Sequence, residues 1–116
     1  MVATIFTTAV VLVTHLPNES VPKQLQFGEL DKIAHMAAYG LITLLFVLSL
    51  RTSVTLLSTL LLVFAILIVA TFDELSQPFV NRTASLADWL ANLIGVALVT
   101  FLLTCFKHSK HSVTKI

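Results

Sequence analysis

Between Val54 and Phe72 the chain is built only of Leu, Ile, Val, Phe, Ala, Ser and Thr, and the run ends at the acidic pair Asp73-Glu74. A helix rises about 1.5 Å per residue, so this run alone nearly matches the roughly 30 Å of hydrocarbon in a bilayer. Two more apolar runs follow the same plan, one from Asp31 to Leu50 and one from Leu86 to Phe106. A fourth, Met1 to Leu16, is short for a span and has to borrow interfacial residues or thin the bilayer. Of the 116 residues 57% are apolar and 11% charged, and the charges bunch between the runs. The hydrophobicity therefore belongs to bilayer-length segments and not to the core of a soluble domain. The expected fold is all-α, a single domain over 1–116. It is an up-and-down integral membrane bundle of four transmembrane helices near 1–16, 31–50, 54–77 and 86–106, with a tail over 107–116.

Residues 17–30 (PNESVPKQLQFGEL) hold two prolines, a glycine and mixed charge, the composition of an exposed loop. Arg51-Thr52-Ser53 marks a tight turn, and residues 75–85 (LSQPFVNRTAS), broken by Pro78, form a second loop. The first run has no Lys or Arg ahead of it and no small-x-small cleavage site before Pro17, so it reads as a retained helix. Four spans place both termini on one side. Lys107, Lys110, Lys115 and Arg51 on that side, against Lys23, Lys32 and Arg82 on the other, make the tail side cytoplasmic. All six acids, Glu19, Glu29, Asp31, Asp73, Glu74 and Asp88, then lie on the outer side. A net charge of +1 excludes a nucleic-acid footprint, which needs a basic face. The lone Cys105 can form no internal disulfide and reads as a small hydrophobe.

Three polar clusters sit at the ends of the runs. Asp31, His35 and Tyr39 recur every four residues and share a helix stripe beside Lys32. Asp31 can orient His35 as a general base, or the imidazole can ligate a metal. The plainer reading is an interfacial helix start with Asp31 as cap, Lys32 snorkelling and Tyr39 in an aromatic belt. In Asp73-Glu74-Leu75-Ser76-Gln77 the two acids point about 100° apart, so one of them is expected to face the bundle. Acids at a helix C-terminus oppose the macrodipole, which suggests that the helix continues to Gln77 and stops at Pro78, or that Arg82 stands nearby. In the third cluster Asp88, Asn92 and Gly95 share a face, with Ser85 spaced as an N-cap whose capping-box partner is Asp88. Trp89 reads as a belt residue, and Gly95 as a point of close helix approach.

Taken in order, D-K-x-x-H-x-x-x-Y (Asp31, Lys32, His35, Tyr39), D-E-x-x-Q-x-F (Asp73, Glu74, Gln77, Phe79) and R-x-x-S-x-x-D-x-x-x-N-x-x-G (Arg82, Ser85, Asp88, Asn92, Gly95) resemble the VanZ-like family. The resemblance covers residues 31–95. It implies a multi-pass protein of the bacterial cytoplasmic membrane, in a family named for a member that lowers susceptibility to the glycopeptide teicoplanin. Many members carry Gly or Pro-Gly before the arginine, where this chain has Val80-Asn81.

The common hydrolase, nucleotide and redox motifs, H-E-x-x-H, the P-loop, G-x-S-x-G and CxxC, do not occur, and the sequence names no cofactor. Two readings compete. In the first, a site at the outer boundary takes an envelope lipid or another anionic head group. Arg82 and Lys32 hold the anion, His35, Glu74 and Asp88 handle protons, and Asp31, Tyr39, Asp73, Gln77, Ser85 and Asn92 complete the binding shell. Its weakness is the acids, which repel an anion unless they are paired or bridged by a divalent metal. In the second, the same residues form a stabilising network or a face for a homo-oligomer or membrane-protein partner, without catalysis. A transporter is the poorest fit, since the spans hold no mid-membrane charge.

Overall fold

The computed structural model describes residues 1–16, 18–20, 23, 28–50 and 55–113. Half of the first loop, the Arg51-Thr52-Ser53 turn and residues 114–116 lie outside the described residues. Four helices follow one another: α1 (Val2–Thr14), α2 (Glu29–Ser49), α3 (Leu56–Ser76) and α4 (Leu86–Val113). A 3-10 turn, Gln77–Val80, follows α3. The second to fourth helices are long and apolar enough to cross a membrane, and α1 is a shorter apolar helix of 13 residues, about 20 Å. The chain is an all-α membrane bundle.

Local chemistry sets the helix ends. A capping box opens α3: the Ser58 N–H donates to Thr55 Oγ1 at 3.1 Å and the Thr55 N–H to Ser58 Oγ at 2.9 Å. Pro78 sits at the start of the 3-10 turn, so the α-helical ladder ends at Ser76, one residue before the expected Gln77. Helix α4 passes the end of its apolar run and continues to Val113, because residues 107–113 contain neither glycine nor proline to stop it. Most of the expected tail is therefore helix.

Large apolar side chains cover the outside. Leu56, Phe64, Phe72 and Phe101 are all exposed, while Asp31, His35, Thr43, Asp73, Glu74, Gln77 and Asn92 are buried. A greasy exterior around a polar interior is the arrangement that a lipid solvent selects. The apolar core is small, built on Tyr39, Ile42, Ile66, Ala70 and Val96.

Helix α2 packs chiefly on α4. Their backbones touch at two glycines. A Cβ on Gly95 would overlap the Met36 carbonyl oxygen and stand 3.1 Å from the Gly40 nitrogen, so this crossing requires glycine. The close approach brings the first turns of the two helices together.

Candidate functional site

The bundle end where α1 and α3 finish and α2 and α4 begin is polar, and its side chains divide into two groups. The first is built on the two acids that end α3. Asp73, 2% exposed, accepts from Thr14 Oγ1 at 2.5 Å and from the Tyr39 hydroxyl at 3.1 Å, with His15 Nδ1 at 3.4 Å. His15 also holds Ser76 Oγ at 2.6 Å through Nε2. One carboxylate thus ties α1, α2 and α3 together. Glu74 turns the other way and accepts from the Ser85 backbone N–H and from Gln77 Nε2, the latter at 3.3 Å. The expectation that one acid faces the bundle is corrected: both are buried, because α3 has neighbours on both sides there.

The Glu74–Ser85 contact changes the start of α4. Ser85 caps the helix, its Oγ accepting from the Asp88 N–H at 3.4 Å. In the expected capping box the Asp88 carboxylate would receive the Ser85 N–H in return; Glu74 takes that place instead. Asp88 therefore keeps its carboxylate for the second group.

That group joins α2 to α4. His35, 6% exposed, sets Nδ1 3.0 Å from the Asn92 Oδ1. An amide oxygen only accepts, so Nδ1 carries the hydrogen, and in the neutral ring Nε2 presents its lone pair. Nε2 points to Asp31 Oδ1, 3.9 Å away, beyond hydrogen-bond reach. Asp31, His35 and Asp88 each offer a ligand atom within 4.8 Å of the others.

Arg82 reaches the site through a left-handed turn. Asn81 has φ 60°, a conformation that glycine takes freely and asparagine better than most residues. The turn returns the chain toward α1, where Arg82 Nη1 donates to the Thr14 carbonyl at 2.8 Å. Arg82 also lines a cavity of about 310 Å³ between α1 and α2. Phe6, Val10 and Val13 give it an apolar wall, with Asp31 and His35 opposite.

A model of the VanZ/LLP1 family matches residues 2–107, nearly the whole chain. The chain belongs to the VanZ/LLP1 family. No curated protein and no solved structure gives a significant match. The VanZ/LLP1 match takes in the first helix, which the motifs over 31–95 leave out, and it is this helix that supplies Thr14 and His15 to the polar end.

Of the residues singled out in this VanZ/LLP1 chain, Asp31, His35, Asp88 and Asn92 meet in one group and Tyr39, Asp73, Glu74, Gln77 and Ser85 in the adjoining one. Lys32 joins neither: its Nζ donates to the Gly28 carbonyl at 3.2 Å on the exposed face. Trp89 is not simply a belt residue, since its Nε1 donates to Thr71 Oγ1 at 3.1 Å and ties α4 to α3. Thr14, His15 and Ser76 were not anticipated. The available signal was His15 itself, an ionisable residue at the end of an apolar run, which is the signal that marks His35.

Proposed function

We propose that this end of the bundle faces outward from the bacterial cytoplasmic membrane and binds the anionic head group of an envelope lipid. Arg82 is the oxyanion contact, and the start of an acyl chain lies between α1 and α2. The observation that carries the reading is the lining of the cavity: apolar along α1, and bounded by Asp31, His35 and Arg82 where the helix ends meet. A pocket that is greasy along its length and charged at its mouth suits an amphiphile. Its volume of about 310 Å³ is at the small end of ligand pockets, enough for a head group and part of one chain. The planar fork of arginine binds a phosphate through two parallel hydrogen bonds, and the Thr14 carbonyl helps hold that fork in place.

Within this reading His35, which lines the cavity, is the group placed to handle a proton next to the head group, with Asp88 behind it. Glu74 and Asp73 serve as struts, since their carboxylates are engaged by Ser85, Gln77, Thr14 and Tyr39. The structural reading of the polar residues is thus favoured for that half of the cluster alone. The test is a titration of the purified chain with dihexanoyl-phosphatidylglycerol and with the phosphatidylcholine of the same chains. The anionic lipid should bind more tightly, and Arg82→Gln should remove the difference; equal binding of both lipids by the unaltered chain contradicts the proposal.

A further inference from the structure

We infer that Asp31, His35 and Asp88 form a binding site for a first-row divalent transition-metal ion, with the Asn92 amide orienting the imidazole from behind. Three ligand atoms from two helices lie within 4.8 Å of one another. Nitrogen and oxygen ligands sit about 2.0–2.2 Å from zinc, so two ligands on one ion are roughly 3–3.6 Å apart. The Nε2–Oδ1 separation of 3.9 Å needs to close by a few tenths of an ångström, and a pair at the 4.8 Å limit by about 1.2 Å.

The buried imidazole supplies the observation that separates this from a mere acidic cluster. His35 is 94% buried by its 6% exposure, and its Nε2 stands 3.9 Å from Asp31 Oδ1, too far for a hydrogen bond. Asn92 Oδ1 accepts from Nδ1–H and fixes the tautomer that leaves the lone pair on Nε2. In the neutral ring that lone pair faces a carboxylate, a repulsion that a proton or a metal ion between them relieves. Asn92 adds a second sign. It is fully buried, and its Nδ2 is the buried side-chain polar atom left without a partner among the described residues.

The ligand set favours a transition metal over calcium or magnesium, since one of its three donors is an imidazole nitrogen. Three protein ligands also leave a coordination position open, as catalytic zinc sites do. The ion answers the charge problem of the lipid reading. Two carboxylates stand against the single guanidinium of Arg82, so without an ion they weaken the hold on an anion; a divalent ion reverses their sign. The ion's role in lipid binding rests on that reading, whereas its presence does not.

The experiment is calorimetric titration of the full-length chain in detergent with zinc sulfate and with manganese chloride. His108 and His111 are replaced by glutamine so that the tail imidazoles do not compete. One ion per chain is expected, with affinity falling at least tenfold in Asp88→Asn and in His35→Gln, and about tenfold to hundredfold in Asn92→Ala. Circular dichroism and size exclusion check that each variant keeps its fold. The absence of binding by the parent chain for both metals overturns the inference whatever the variants do, and so does equal affinity in folded Asp88→Asn. Loss of metal binding with phosphatidylglycerol preference intact removes the ion alone, whereas metal binding without lipid preference supports the ion and removes the lipid reading.

Discussion

Replacing Gly95 with alanine tests whether the α2–α4 crossing builds the site. The new Cβ would overlap the Met36 carbonyl oxygen and stand 3.0 Å from its carbon and 3.1 Å from the Gly40 nitrogen. These are helix backbone atoms that have no rotamer to move into, so the helices must part. Overpacking costs about 1–3 kcal/mol, and a backbone clash belongs at the top of that range. The same parting stretches the 3.0 Å contact between His35 on α2 and Asn92 on α4, a further loss of about 1 kcal/mol. Gly40→Ala is the control. Its Cβ would meet Val99 Cγ2 at 3.3 Å and the Gly95 carbonyl oxygen at 3.4 Å, contacts that a small shift relieves, so it should cost about 1 kcal/mol or less. Reversible unfolding in mixed micelles with sodium dodecyl sulfate can be followed by the fluorescence of Trp89, the one tryptophan, which is bonded to Thr71 on the neighbouring helix. Gly95→Ala should shift the folding equilibrium roughly a hundredfold or more and Gly40→Ala about fivefold or less. Equal effects of the two substitutions would show that the Gly95 contact does not set the crossing.

Two further outcomes follow from the division of the polar end. Asp73→Ala removes the acceptor of Thr14 and of the buried Tyr39 hydroxyl, so stability should fall by about 2 kcal/mol and the α1 amides should exchange faster. Zinc affinity, set on α2 and α4, should stay within about twofold, and a loss comparable to that of Asp88→Asn would show that the two groups are one. Orientation is read by replacing Cys105 with serine and labelling Lys23→Cys with a membrane-impermeant maleimide. Labelling of intact cells is expected, and labelling only after lysis contradicts an outward-facing site.

Much of this site can be read from spacing alone, because helical periodicity assigns faces. The four-residue steps from Asp31 to His35 to Tyr39, and from Asp88 to Asn92 with Gly95 beyond, place the residues that α2 and α4 turn toward each other. Periodicity does not say which neighbour a face will meet. It therefore gave no means of telling that Asp73 and Glu74 each find a different partner, or that Thr14 lies 59 residues away from its acceptor. Nor does it foresee the exchange at Ser85, where a capping box legible in sequence is completed by Glu74 from another helix, leaving Asp88 free. Lys32 shows the converse: adjacency to Asp31 in sequence puts it about 100° around the helix, on the exposed side. The structural contribution of α1 was the least legible, since Thr14 and His15 at its end, which reach α3, make no spaced pattern.

On the proposed reading, the polar end of the bundle takes an anionic amphiphile through Arg82. Calorimetric titration of the purified chain with dihexanoyl-phosphatidylglycerol and with dihexanoyl-phosphatidylcholine measures it directly. A hydrogen bond to a charged group contributes about 1.5–3 kcal/mol, so the unaltered chain should prefer the anionic lipid by at least about tenfold, and the preference should vanish in Arg82→Gln. Equal affinity for the two lipids, or a preference that survives in Arg82→Gln, would contradict the account.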